Sequence, residues 1–374
     1  MSFSVPFNDL SRVPAALKGE ITKQTTQVIT SGNYILGQEV EKFENELARY
    51  LGCPASVGVA TGTDAILLSL LAAGVGNGDT VLTMANAGSY TTVASRAIGA
   101  EPIFVDVSED TLQMTISNLQ ISLETSEGIG VQPKALVVTH LFGQLNPEIM
   151  EIAEFAKAHD LVLIEDCAQS IGASNGTKQA GSFGNLSTFS FFPTKNLGAY
   201  GDAGAVSGND VKMLDTVRKL RQYGWGNKYS IEIPFGRNSR LDEIQAAVLR
   251  VKLPYVDSWN ESRRAIYSRY VEAAGNKVRF YSAPNESFVG HLCPITVEDL
   301  GQVQLASHFT SRGVSTSVHF PIPDHKQKVD LKYRDLVPLP QTESSCSSLI
   351  TIPLFPELTE HEIDTVCSAL KDLG

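Results

Sequence analysis

The chain has 374 residues, 43% of them hydrophobic and 19% charged, which describes a folded protein too large for one ordinary core and suited to a large domain with a smaller one beside it. Its 41 acidic against 30 basic residues leave a net charge of −11, whereas a general nucleic-acid binder would be basic, so nucleic acid is disfavoured as a partner. Five scattered cysteines, Cys53, Cys167, Cys293, Cys346 and Cys367, form no C-x-x-C pair; they argue against a disulfide framework or a zinc site and fit a reducing cytosol.

The N-terminus shows no basic region leading into an apolar stretch, and no apolar run approaches membrane-spanning length, so the expectation is a soluble cytoplasmic protein with no membrane partner. Residues 14–31 read as an amphipathic helix that stops near Gly32, and 38–51 as a second, Glu-rich helix ending at Gly52. The turn between them, Ser31-Gly-Asn-Tyr-Ile-Leu-Gly37, puts Tyr34 in a loop, either as a buried anchor or as a substrate contact. From Ser56 onward, apolar runs at 56–60, 80–84, 102–107, 135–139, 161–164, 187–191 and 203–207 alternate with helical patterns such as 64–73 and 147–158. That alternation implies an α/β layer architecture around a mostly parallel sheet, with its ligand at the strand ends. The cluster Gly74-Val-Gly-Asn-Gly-Asp79 precedes a strand and reads as a turn. After Arg240 come a helical stretch over 241–252, a break at Pro254, a helix to about 274, and mixed strand and helix closing with a helix from about 360. The expected division is a large α/β domain over 1–245 and a small α+β domain over 246–374.

Three stretches carry chemistry. In Phe191-Phe-Pro-Thr-Lys195 an apolar strand breaks at Pro193 and delivers one lysine, followed by Gly198, Gly201 and Gly204. A lysine held between aromatic residues and a glycine-rich turn can be desolvated, which favours the neutral amine that a Schiff-base lysine needs; a surface loop lysine is the plain alternative. Thr61-Gly-Thr-Asp-Ala65 joins a strand to a helix, so the N–H groups of Gly62 and Thr63 can cradle a phosphate, or Thr61 can simply cap the helix. Leu161-Val-Leu-Ile-Glu-Asp166 puts carboxylates at the end of a buried strand. A magnesium-binding NTPase strand would end similarly, but the chain contains no G-x-x-x-x-G-K-[ST] loop.

With these stretches, Gly37-Gln-Glu-Val-Glu-Lys-Phe-Glu44, His140-Leu-Phe-Gly-Gln144, Glu165-Asp-Cys-Ala-Gln-Ser170 and Asn238-Ser-Arg-Leu-Asp-Glu-Ile-Gln-Ala-Ala247 fall in an order and spacing that resembles the DegT-type nucleotide-sugar aminotransferases, across nearly the whole chain. The resemblance implies the three-layer aminotransferase fold type I, with pyridoxal 5'-phosphate as cofactor and its pyridoxamine form during turnover. It implies Lys195 as the Schiff-base and proton-shuttling residue, Asp166 beside the pyridine nitrogen, where a carboxylate keeps that nitrogen protonated, and Gln169 at the ring 3-hydroxyl. Gly62, Thr63 and Ser190 would hold the phosphate, joined by Asn238 from a neighbouring subunit, so that a homodimer shares its active sites. His319 and His325, in Val318-His-Phe-Pro-Ile-Pro-Asp-His-Lys-Gln327, would face substrate; on residue type alone they are loop histidines with no ligand. No metal is expected.

One departure stands out. Relatives place an aromatic ring where Met84-Ala-Asn-Ala-Gly88-Ser-Tyr90 has Gly88, leaving Tyr90 as the candidate to flank the cofactor. The activity implied is transfer of an amino group from glutamate to a nucleoside-diphosphate-linked keto-6-deoxy sugar, with the 3-keto position favoured over the 4-keto. A sugar dehydratase on the same scaffold carries histidine at the lysine position, and a cofactor-binding regulator is the non-enzymatic alternative.

Overall fold

The computed structural model describes residues 3–373. Seven strands, β1 (Ala55–Val59), β2 (Thr80–Met84), β3 (Glu101–Val105), β4 (Ala135–Thr139), β5 (Val162–Asp166), β6 (Leu186–Ser190) and β7 (Gly204–Gly208), lie in the order β1-β7-β6-β5-β4-β2-β3. β7 runs antiparallel between β1 and β6, so that Val206 faces both Val57 and Thr188. The remaining pairings are parallel, which gathers the C-terminal ends of β1 to β6 on one edge.

The strands carry apolar side chains on both faces because both faces are covered. Along β4, Leu136 and Val138 enter one hydrophobic cluster while Ala135 and Val137 enter the other, the period of two that a strand requires. On the first face lie α2 (Gln38–Leu51), α5 (Ile116–Gly128), α6 (Ile149–Ala158) and α8 (Glu243–Lys252); on the second lie α3 (Gly62–Ala72), α4 (Tyr90–Ala97) and α7 (Val211–Leu220). The result is the expected three-layer α/β arrangement.

α8 begins two residues later than the apolar pattern predicts. Leu241 is wholly buried and Asp242 is extended. Glu243 then places its buried carboxylate on the N-terminus of α2, accepting the N–H groups of Gly37, Glu39 and Val40 at 2.9, 2.9 and 2.8 Å. Those are the donors a helix start leaves unpaired. α1 (Ala15–Ser31) packs on α8 through Leu17, Ile21 and Val248. A short hairpin of β8 (Trp225–Asn227) and β9 (Ser230–Ile231) precedes α8.

A second core forms around the antiparallel strands β10 (Arg279–Phe280), β11 (Cys293–Thr296) and β12 (Ile350–Ile352). It takes in Tyr267 and Tyr270 of α9 (Val256–Ala274), Phe309 of α10 (Gln302–Ser311) and Val366 of α12 (Glu360–Lys371). Val5 joins it, pairing with Val314. Between α10 and α11 (Pro340–Ser348) the chain returns to the large unit, where Leu331 and Leu339 pack on Ala85 and Phe104. Among the described residues no helix is long and apolar enough to cross a membrane.

Candidate active site

At the C-terminal strand edge, where an α/β sheet offers its crevice, lies a cavity of about 610 Å³ lined from both units. One end is a cup built by α3. Thr61 caps the helix, its Oγ1 accepting the N–H of Asp64 at 3.0 Å. The N–H groups of Gly62 and Thr63 are left without a protein acceptor among the described residues. A Cβ on Gly62 would stand 2.6 Å from Ser190 Cβ, so the backbone approaches the end of β6 as only glycine allows. Two free N–H groups at the positive end of a helix, with the hydroxyls of Thr63 and Ser190 in the same wall, make an anion cup. The capping and cradle readings of Thr61-Gly-Thr thus coexist.

Lys195 projects into the cavity from the loop between β6 and β7. That loop is tied down on both sides: Phe191 N–H donates to Ala203 O at 2.9 Å and Ala199 N–H to Phe191 O at 2.8 Å. Phe191, fully buried, packs edge-on against Phe43 at 5.4 Å. Burial brings the Lys195 ammonium down to about 8, partly opposed by the negative charge of Asp166, so the surface-loop alternative does not describe it. Asp166 ends β5 at 4% exposure. Burial pushes its carboxyl up from the usual range, against the N–H of Ala168 at 3.0 Å and the charge of Lys195. A desolvated carboxylate with one short hydrogen bond is a site waiting for a cation.

Gln169 lines the same wall with its orientation set, since its Oε1 accepts the N–H of Phe142 at 2.6 Å and its amide N–H is left for a ligand oxygen. Tyr90 opens α4 and lines the opposite wall. The space over Gly88 is filled by Phe320: a Cβ at 88 would meet the Phe320 ring at 2.9 Å. Tyr90 meets that ring edge-on at 6.3 Å, so the wall that lacks an aromatic at 88 receives one from the small unit. His319 also lines the cavity, stacked on Phe7 at 5.6 Å, and burial with the nearby charge of Lys195 brings its imidazole down to about 4.

Gly62, Thr63, Tyr90, Asp166, Gln169, Ser190, Lys195 and His319 therefore surround one cavity, and three other candidates stand apart. Tyr34 is neither a buried anchor nor a lining residue: it is 48% exposed, its hydroxyl donating to Ile29 O at 3.2 Å. His325, expected to face substrate, is 3% exposed and bonds Glu343 through Nε2 at 2.9 Å. The next residue back explains this, because Asp324 is fastened to the N–H and hydroxyl of Ser89 and to Thr92 Oγ1 at 2.9, 3.0 and 2.6 Å, which turns His325 toward Phe104. Asn238 is exposed and outside the cavity of its own protomer. Among the lining residues outside the sequence-based candidates are Phe7, Asn8, Asp202 and His291. They come from the N-terminal segment, the glycine-rich loop and the segment just before β11, and no local pattern marks them.

A buried lysine on the loop after a strand, a buried carboxylate facing it and an anion cup on a helix define a pyridoxal-type aminotransferase site. Residues 15–371 match the DegT/DnrJ/EryC1/StrS aminotransferase family, and the chain belongs to that family. It is similar to the pleiotropic regulatory protein of Geobacillus stearothermophilus, 38% identical over 99% of this chain and 98% of that protein. It is 36% identical to the dTDP-3-amino-3,4,6-trideoxy-alpha-D-glucose transaminase of Streptomyces venezuelae, over 98% of this chain and 96% of the relative. The crystal structure of S. venezuelae DesV in complex with a ketimine intermediate superimposes with a TM-score of 0.91 at 34% identity, over 100% of this chain and 98% of that one.

Proposed function

We propose that this chain is a pyridoxal 5'-phosphate-dependent aminotransferase that moves an amino group from glutamate to a nucleoside-diphosphate-linked keto-6-deoxy sugar, at the 3-keto position in preference to the 4-keto. The observation that carries the reading is the convergence of Lys195, Asp166 and the Gly62–Thr63–Ser190 cup on one cavity. The residues fit the cofactor: the cup suits its phosphate, and the raised Asp166 carboxyl suits a protonated pyridine nitrogen. When bound, pyridoxal phosphate supplies the electron sink that amino transfer requires.

The chain's own groups then have separate tasks. Gly62, Thr63 and Ser190 hold the phosphate, Asp166 keeps the ring nitrogen charged, and the Gln169 amide donates to the ring oxygen. Lys195, neutral above about pH 8, takes the proton from the donor carbon and returns it on the other side of the exchange. Tyr90 and Phe320 wall the ring, and His319 faces the sugar.

A homodimer acting in the cytoplasm completes the reading, with Asn238 of each subunit reaching the phosphate held by the other. In its support, the segment before Asn238 exposes Tyr229, Ile231 and Phe235 at 78%, 71% and 74%, an apolar surface of the kind that marks a contact. The division expected at 245/246 falls inside α8, whose Ala246 and Leu249 belong to the first core, so we place it within α9, where the second core begins.

A regulator could bind the same cofactor without turnover, and one relative carries a regulatory name. An absorbance spectrum of the purified protein before and after glutamate separates the two. Conversion of the pyridoxal band to the pyridoxamine band is the expected result. A colourless protein that stays so with added pyridoxal phosphate would falsify the reading, and a coloured one inert to glutamate would return the regulator.

A further inference from the structure

His291 lines the cavity, and none of the tasks above employs it. Its neighbours determine which nitrogen carries the proton. Asn196, the residue after Lys195, donates through Nδ2 to Val289 O at 3.0 Å and to Asn260 Oδ1 at 2.8 Å. A backbone carbonyl can only accept, so the Asn196 amide cannot be turned over, and its Oδ1 is the atom that meets His291 Nδ1 at 2.9 Å. Nδ1 is therefore the protonated nitrogen. Asn260 is held in turn, its Nδ2 donating to Ile171 O at 2.9 Å. At 4% and 1% exposure, Asn196 and Asn260 meet almost no competing water.

The ring's Nε2 makes no hydrogen bond to the described residues, which leaves its lone pair to the cavity. Burial, with the charges of Lys195 and Arg263 and the nearby His319, holds the imidazole far below its usual range, so the lone pair persists at neutral pH. His319 differs. Its Nδ1 partner is the Thr351 hydroxyl at 3.0 Å, which can donate or accept, so neither of its nitrogens is assigned as the acceptor.

We propose that His291 is a specificity-determining acceptor for the sugar: its Nε2 takes a hydrogen bond from a hydroxyl on a carbon next to the one that is aminated. Asn196 and Asn260 are positioning residues that set the tautomer. The location follows from the cavity, since the ring lines it together with Lys195 and is tied to the residue that adjoins that lysine. The proposal rests on the aminotransferase reading of this cavity. It adds that the enzyme reads a flanking hydroxyl with a fixed acceptor, the arrangement by which a site rejects an analogue that lacks the donor.

Two thymidine diphosphate-linked amino sugars, offered to the pyridoxal form in the reverse direction, test it. The 3-amino-3,6-dideoxy-galactose has hydroxyls on both carbons beside the amine, and the 3-amino-3,4,6-trideoxy-glucose on only one. In His291→Leu, kcat/KM for the dideoxy sugar should fall roughly tenfold relative to that for glutamate, chiefly through KM. If the C4 hydroxyl is the partner, the preference between the two sugars shrinks with it; if the C2 hydroxyl is, both sugars fall together. An unchanged sugar-to-glutamate ratio overturns the proposal. In parallel, 15N spectra of histidine-labelled wild type, with the His291 signal assigned by its loss in the variant, should show a protonated Nδ1 and a bare Nε2 between about pH 6 and 8. The opposite tautomer or an imidazolium overturns it as well. A wild type that glutamate converts but that reacts with neither sugar overturns the sugar class and this proposal with it. One that glutamate does not convert overturns the aminotransferase reading itself.

Discussion

Glu165 and Asp166 are consecutive carboxylates at the end of β5, both buried, and their surroundings are opposite. Glu165 accepts the N–H groups of Gly181, Phe183 and Gly184 at 2.8, 2.7 and 2.7 Å, and His140 Nε2 at 3.0 Å. The His140 proton is on Nε2 because its Nδ1 accepts the N–H of Asn146 at 3.1 Å. Asp166 has one short bond, from Ala168, and a long one from Thr139 at 3.4 Å. Strand geometry sends neighbouring side chains to opposite faces, so one acid is spent on closing the turn before β6 and the other is left facing Lys195. Burial alone does not mark a functional acid. What marks it is a demand that the protein leaves unmet.

The comparison can be broken from either side. The largest effect should come at the partner of Asp166: Lys195→Ala is expected to lower turnover roughly 10⁴-fold while circular dichroism stays that of the folded protein. Normal turnover in that variant would overturn the site. Glu165→Gln replaces an acceptor of four bonds by an amide that offers one oxygen, so it should cost about 3 kcal/mol or more in urea denaturation. A stability near wild type would mean that the turn before β6 does not depend on Glu165. Asp166→Asn should show the reverse pattern, with turnover reduced on the order of 100-fold and stability within about 1 kcal/mol. Equal stability losses in the two variants would erase the distinction.

The smallest effect sharpens it by pH. Uptake of pyridoxal phosphate by the cofactor-free protein should rise with pH around a midpoint near 8, where the Lys195 amine loses its proton. Because the charge of Asp166 raises Lys195, Asp166→Asn should move that midpoint lower. An unmoved midpoint would mean that the two groups do not sense each other.

Much of the fold is legible in the sequence. β2 and β4 have the boundaries of their apolar runs, and α1 and α2 end at Gly32 and Gly52 as the punctuation implies. Of the site, the legible part was what lies at the junction of a strand with a loop or helix, namely Gly62, Thr63, Asp166, Ser190 and Lys195. His325 is turned away from the cavity because a loop's direction depends on what ties it down, here Asp324 on Ser89 and Thr92.

Local periodicity and turn chemistry act over a few residues, so the linear order of amino acids was enough to specify the strands, the helices and the residues presented at their ends. It could not say which distant segments meet. The covering of Gly88 by Phe320, the stacking of Phe7 on His319 and the hydrogen-bonded chain from Asn260 through Asn196 to His291 join residues 64 to 312 positions apart. No short-range rule connects such positions. They come together only when the two cores form and close the cavity between them.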